Sequence, residues 1–277
     1  MEEFVWLNDD LIPLAQARVS VNDRGFLYGD GLFETLRADG GRVHFLTEHL
    51  ERLAASARAF RLPFPENTPW QERLTQLLAA NGLSRGPARV KILLTRGVAE
   101  GLGLPEKCRP TLVIYAQPYI PPSSEEYAAG WPVVVFPEGR STFVGRHKSL
   151  NYLFYLAARQ FALDRGAKEA LILEADGLVS EGAATSLICL HQGQYYRPAS
   201  ASALAGVTAA VLGRRLAARG LSLEARRTTV AQLKAADGLW LANSLMGLMP
   251  VAAVDEAPAP VNPAATAFLH AVWADKS

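Results

Sequence analysis

The chain has 277 residues, 49% of them hydrophobic and 20% charged, with a formal net charge of +1. That length supports one large domain or two small ones, and the near-neutral balance excludes a general affinity for nucleic acid or for anionic membranes. Cys108 and Cys189 lie far apart without metal-ligand spacing, and no apolar run approaches the roughly 20 residues needed to span a bilayer. The first ten residues, MEEFVWLNDD, lack the basic-then-apolar pattern of a secretion signal, so a cytoplasmic, disulfide-free protein is expected.

Taken in chain order, residues 32–37 read as a strand, Asp39-Gly40-Gly41 as a hairpin turn and residues 42–45 as its return. Thr47 is placed to cap the next helix, in which Leu46, Leu50, Leu53, Ala54, Ala57 and Phe60 recur at helical spacing before Pro63 and Pro65. A second helix is expected over 69–80, stopping at Asn81-Gly82, and two β-rich runs follow at 89–95 and 111–116. Residues 117–126 (QPYIPPSSEE) carry Pro and Ser without an apolar period. This divides the chain into an N-terminal domain at 1–118, a linker at 119–126 and a C-terminal domain at 127–277. Beyond the linker, the pattern predicts a strand at 133–136 and a helix over 149–165 closed by Gly166. Strands at 170–173 and 187–190 flank the turn Asp176-Gly177. A helix over 208–219 ends at Gly220, and a short strand covers 239–242. The order mixes α and β without the regular alternation of a doubly wound sheet.

Several residues have a chemical reading beside a commonplace one. Lys148, in Gly145-Arg146-His147-Lys148-Ser149-Leu150-Asn151, belongs to three basic residues at the positive end of the predicted helix, where the macrodipole disfavours cations. A lysine converted to a Schiff base with a carbonyl cofactor escapes that conflict; a solvated loop lysine is the commoner case. Glu181 precedes the small residues Gly182-Ala183-Ala184-Thr185-Ser186, which admit a flat ligand close to backbone. A carboxylate there can keep a heteroaromatic nitrogen protonated, or it is an exposed loop acid. Gly206-Val207-Thr208 opens a helix whose N–H groups can bind an anion; Thr208 either caps that helix, the more frequent role, or bonds a phosphate. Ser244 follows the last short strand and offers a second hydroxyl. Arg52 lies on the polar side of the 47–60 helix, where a solvated face is the ordinary reading. The five histidines form no paired ligand spacing, and no nucleophile elbow, P-loop or dinucleotide fingerprint occurs. No metal site is expected.

In combination these segments resemble the class IV (fold type IV) pyridoxal 5′-phosphate (PLP) aminotransferase family. Tyr28-Gly29-Asp30-Gly31-Leu32-Phe33-Glu34-Thr35 is similar to its N-terminal hallmark, and His49-Leu50-Glu51-Arg52-Leu53 to its phosphate-binding arginine segment. Lys148-Ser149-Leu150-Asn151-Tyr152 and Glu181-Gly182-Ala183-Ala184-Thr185-Ser186 are similar to the cofactor-lysine and acidic segments. The resemblance runs from about Leu7 to Val254. It implies a two-domain fold of α/β (α+β type), with a smaller N-terminal α/β domain and a larger C-terminal pseudo-barrel domain. PLP would lie between them, and a homodimer partner would complete the active site. Lys148 would carry the cofactor and shuttle protons, and Glu181 would keep the ring nitrogen protonated. Arg52, Gly206, Val207, Thr208 and Ser244 would hold the phosphate. Tyr152 would bond the ring's phenolic oxygen, its alternative being a core aromatic of the following helix.

The resemblance departs from the family pattern at two places. Ser186 stands where relatives often carry Asn, and Leu102 lies near where they commonly carry a substrate-carboxylate arginine. Arg146, Arg24 or backbone N–H groups near Met246-Gly247 are the candidate replacements, with Phe33 also expected at the small-molecule amino substrate. The segment Asn243-Ser244-Leu245-Met246-Gly247-Leu248-Met249-Pro250-Val251 is similar to 4-amino-4-deoxychorismate lyases, as is Asp30-Gly31-Leu32-Phe33-Glu34-Thr35; Lys148-Ser149-Leu150-Asn151-Tyr152 is closer to transaminases. The reading favours the lyase, which forms p-aminobenzoate and pyruvate. Its alternative is a transaminase acting on D-amino acids, branched-chain amino acids or amines with a 2-oxo acid acceptor. A catalytically idle PLP-binding relative is the third reading, and retention of both Lys148 and Glu181 argues against it.

Overall fold

The computed structural model describes residues 2–275. It divides into two compact units: the first runs to Pro121 and takes back His147–Tyr152, and the second holds Pro122–Arg146 and the chain from Leu153 onward. The linear division expected from the sequence did not include this return of the Lys148 segment to the first unit.

The first unit contains β1 (Phe4–Leu7), β2 (Asp10–Pro13), α1 (Arg24–Tyr28), β3 (Gly31–Asp39), β4 (Arg42–Val43), α2 (Leu46–Ala59), α3 (Trp70–Ala80), β5 (Pro87–Thr95) and β6 (Thr111–Pro118). Among the described residues its strands form one antiparallel sheet in the order β2-β1-β6-β5-β3-β4. Strand periodicity sorts the side chains by face. Leu32, Leu36 and Ala38 on β3, Val90, Ile92 and Leu94 on β5, and Leu112 and Ile114 on β6 join Leu53 and Ala57 of α2 and Leu74, Leu77 and Leu78 of α3 in one core. Phe33 and Thr35, paired with Leu93 and Lys91, therefore occupy the opposite face. The expected hairpin at Gly40-Gly41 is present, with Asp39 opposite Arg42 and both glycines at positive φ. Thr47 does not cap α2. The helix begins a residue earlier, because Phe45 turns through the left-handed region (φ 53°) and serves as N-cap without a side-chain bond.

The predicted helix over 149–165 is also shorter, as α5 (Leu153–Leu163). Residues 147–152 are instead held alongside β3: Phe33 N donates to the Lys148 carbonyl at 2.8 Å, Leu150 N donates to Gly31 O at 2.9 Å, and Ser149 bridges Leu32. Gly31 is required for this approach, since a Cβ there would lie 2.8 Å from Leu150 Cδ1 and 2.9 Å from Leu94 O. Lys148 thus sits five residues ahead of the helix, so the macrodipole conflict inferred for it does not arise.

The second unit contains α4 (Ser124–Ala129), β7 (Trp131–Val135), α5, β8 (Glu169–Leu173), β9 (Val179–Gly182), β10 (Ser186–His191), β11 (Gln194–Pro198), α6 (Val207–Ala217), β12 (Leu223–Arg226), α7 (Val230–Lys234), β13 (Gly238–Asn243), β14 (Gly247–Val254), β15 (Ala257–Pro258) and α8 (Pro263–Ala274). The last three residues of the stretch read as linker, 124–126, are helical, because Ser123 and Glu126 form a reciprocal capping box at the start of α4. Among the described residues the strands run β12-β11-β10-β13-β14-β7-β8-β9, with β15 on β14. The β11–β12, β14–β7 and β7–β8 pairs are parallel. Leu212 and Leu216 of α6 and Leu269 and Val272 of α8 pack with Ile188, Trp240 and Leu248, while Ala158 and Ala162 of α5 pack with Ala170 and Ile172. No helix among the described residues is long and apolar enough to cross a membrane.

Candidate active site

In the first unit the Lys148 side chain lies among aromatic rings. Its Nζ is 4.6 Å from the Phe33 ring centroid and 5.7 Å from that of Tyr152, and the two rings meet edge to face at 5.2 Å. Tyr152 precedes α5 and belongs to this cluster, so it is not a core aromatic of the helix. The backbone bonds to β3 fix the lysine from one side; from the other, His147 sets Nδ1 3.0 Å from Ser56 Oγ on α2 and stacks its ring edgewise on Phe60. Sequence reasoning missed one residue of the cluster. Lys91 Nζ stands 4.9 Å from the same Phe33 ring, and burial followed by the charge of Arg89 lowers its pKa. The alternation of β5, with Val90, Ile92 and Leu94 buried, was the available signal.

Arg52 does not project from a solvated face. Its Nε and Nη2 donate to Glu34 Oε1 and Oε2 at 2.8 and 2.6 Å, and His49 Nδ1 lies 2.7 Å from Oε2. Glu34 is 1% exposed; burial pushes its carboxyl up, but the Arg52 charge and the His49 and Arg52 hydrogen bonds bring it down to about 2. Replacing Glu34 with alanine is expected to cost about 3–5 kcal/mol of stability at neutral pH, as when one side of a buried pair is stranded; urea unfolding checks this. Because the folded pKa is depressed from 4.5, the pair's contribution is full above that value and lost as pH falls toward about 2. The gap between wild type and variant therefore narrows over that window.

Arg24, a candidate for the substrate carboxylate, has three donors engaged. Nε bonds Asp30 at 2.8 Å, and the two terminal nitrogens bond Gly101 O and Gly103 O at 2.7 and 2.8 Å. Arg96, fully buried, shares Asp30 and donates to Phe60 O, Arg61 O and Pro105 O. Two guanidinium groups on one carboxylate thus hold the 101–105 loop, and Leu102 at its tip is 90% exposed. Burial raises the Asp30 pKa, but its hydrogen bonds to Arg96 and Arg24 outweigh this and lower it.

In the second unit Glu181 lies on β9, 6% exposed. Tyr155 OH donates to Oε1 at 2.8 Å and Leu204 N donates to Oε2 at 3.0 Å, so the carboxylate is aimed by a helix on one side and a loop on the other. Neither partner was anticipated; Tyr155, one helical turn after Tyr152, was the legible one. The N-cap of α6 is Gly206, with no side-chain cap bond. A Cβ on Gly206 would lie 2.4 Å from Ser186 Oγ, so Ser186 sits where only glycine can pass. Thr208 is therefore not the cap: its Oγ1 is buried without a hydrogen-bond partner among the described residues. Ser244 and Met246 lie in the β13–β14 turn, where Asn243 Oδ1 accepts from Leu245 N and Met246 N, both at 3.0 Å. The Met246 carbonyl accepts from Tyr127 OH. Arg146 donates Nε to Ala201 O at 2.5 Å and is exposed. Among the described residues no cluster of metal-ligating side chains occurs.

A phosphorylated pyridine fits this chemistry. A buried hydroxyl without a partner beside an uncapped helix N-terminus calls for an oxyanion acceptor, and an oriented carboxylate calls for a protonated nitrogen.

Comparison with solved structures defines the class: the chain is similar to a fold IV transaminase from Curtobacterium pusillum, with 31% identity and a TM-score of 0.83 over 96% of this chain and 93% of that one. A putative 4-amino-4-deoxychorismate lyase from Legionella pneumophila gives 27% identity and a TM-score of 0.85 over 94% and 95%. A putative branched-chain-amino-acid aminotransferase of Methanocaldococcus jannaschii is 32% identical over 91% of this chain and 88% of its own length. The profile of the amino-transferase class IV family matches residues 31–254. The chain belongs to that family and is one of its enzymes, and PLP is the cofactor of the class.

Proposed function

We propose that this protein is a PLP-dependent transaminase that moves the amino group of a small amino acid to a 2-oxo acid. The observation that carries the reading is the Lys148 ammonium against Phe33 and Tyr152, with the second cation, Lys91, on the same ring. When bound, PLP supplies the electron sink that acidifies the substrate's α-proton. Lys148 Nζ would hold the cofactor and, as a free amine, would be the base that takes up that proton. Glu181, aimed by Tyr155 and Leu204, would keep the pyridine nitrogen charged. Arg52, oriented by Glu34, would be a phosphate ligand, and the Val207 and Thr208 N–H groups and the Thr208 and Ser244 hydroxyls would be others. Lys91 is assigned to the substrate carboxylate as a point charge, since Arg24 is spent on the 101–103 carbonyls.

Transamination is favoured over the lyase reaction by the Lys148-Ser149-Leu150-Asn151-Tyr152 segment and by the names of two relatives that are more than 30% identical. The lyase remains the second reading because of the Asn243–Val251 segment and the Legionella structure. The deciding assay gives the holoenzyme D- and L-amino acids with 2-oxoglutarate, and separately aminodeoxychorismate. Amino transfer without p-aminobenzoate is expected; p-aminobenzoate release as the faster reaction would replace the transaminase by the lyase. In the same assay Lys91→Met should raise KM about tenfold with kcat nearly unchanged, the mark of lost ground-state binding.

A further inference from the structure

Glu174 follows β8 and takes no part in the chemistry above, yet its carboxylate collects donors from two separated segments. Ser141 Oγ and Ser200 Oγ donate to it, and Ser202 donates both its amide N–H and its hydroxyl, each at 3.1 Å. The serines are themselves tied down: Ser202 Oγ accepts from Thr142 N at 3.0 Å, Ser200 Oγ accepts from Ala203 N at 2.9 Å, and Ser200 Oγ lies 2.7 Å from Ser180 Oγ. The loop after β11 is thus fastened at residues 200–203 to Glu174. One residue further on, the same loop turns Leu204 N toward Glu181 Oε2, and it then enters α6 through Gly206. Two carboxylates therefore grip one short loop, four residues apart along it. Glu181 receives a donor whose position depends on what Glu174 holds.

We infer that Glu174 is a positioning residue that sets the direction of the Glu181 carboxylate through the 199–206 loop. This rests on the cofactor role proposed for Glu181. A carboxylate suits the task because it only accepts, and all four groups facing it donate. Alanine removes all four bonds to the Glu174 carboxylate. An amide turns one N–H2 toward at least one donor and keeps the rest, so glutamine should loosen the loop less than alanine does. On this side the effect reaches Glu181 by way of Leu204, whereas Tyr155 approaches from α5.

Hydrogen exchange on the cofactor-free protein tests the physical half. Glu174→Ala should speed exchange of the Leu204 amide and its loop neighbours about tenfold or more, while amides of β13 keep their wild-type rates. A double-mutant cycle on the holoenzyme tests the functional half. Glu174→Ala alone should slow turnover about tenfold, but less than about twofold in a Glu181→Gln background, because coupled residues fail to add. If Glu174→Ala does not fold, Glu174→Gln carries both measurements with smaller changes of the same pattern. Losses that multiply, or an unchanged Leu204 amide, overturn the inference while leaving the proposed function standing. Turnover indifferent to Glu181→Gln would overturn both.

Discussion

Lys148→Ala is expected to abolish turnover, by a factor on the order of 10³ or more, and to remove the borohydride-reducible link to the cofactor. Its fold should survive. The contacts that stitch the segment to β3 are made by the Lys148 carbonyl and by Leu150 N, neither of which alanine removes. The side chain's contacts with the Phe33 and Tyr152 rings are worth about a kcal/mol at this kind of site. The measurement is peptide mapping after reduction, and the structure supplies a demanding control. Lys91 stands at nearly the same distance from Phe33 and has a lowered pKa, so it is placed to compete for an aldehyde. An adduct on Lys91 in the wild type would end the assignment of Lys148.

Glu181→Gln should slow turnover about a hundredfold, close to 2.7 kcal/mol of barrier, while weakening cofactor binding much less. The geometry makes this variant a clean probe of charge. A glutamine carbonyl can accept from Leu204 N, and its amide N–H2 can donate to Tyr155 OH, because a hydroxyl accepts as readily as it donates. Both neighbours therefore stay satisfied and the side chain stays aimed. What is lost is the negative charge that favours a protonated ring nitrogen. A rate close to wild type would mean that another group protonates the ring; a large loss of cofactor affinity would mean that the carboxylate is part of the anchor.

Much of the architecture was legible because it is written locally. The hairpin at Gly40-Gly41, the strand alternation through Phe33 and Lys91, and the helix ends at Asn81-Gly82 and Gly166 depend on neighbours a few residues apart. The ordered motifs around Gly31, Arg52, Lys148, Glu181 and Thr208 likewise pointed to the family without reference to tertiary contacts. The partners of those residues were not written locally. Nothing near residue 52 announces that Glu34 takes both arms of its guanidinium, and nothing near residue 181 announces Tyr155 or Leu204. Arg24 and Lys91 show the same limit: a side chain's surroundings depend on which distant carbonyls, carboxylates and rings the fold brings to it.

The start of the lysine helix shows the division most clearly. By itself the sequence determined that Lys148 lies in a marked segment and that an amphipathic helix follows. Residues 149–152 could extend that helix on propensity alone. Only the tertiary structure decided otherwise, because pairing with β3 satisfies the segment's backbone groups across more than a hundred residues of chain, at a place where Gly31 leaves room for it.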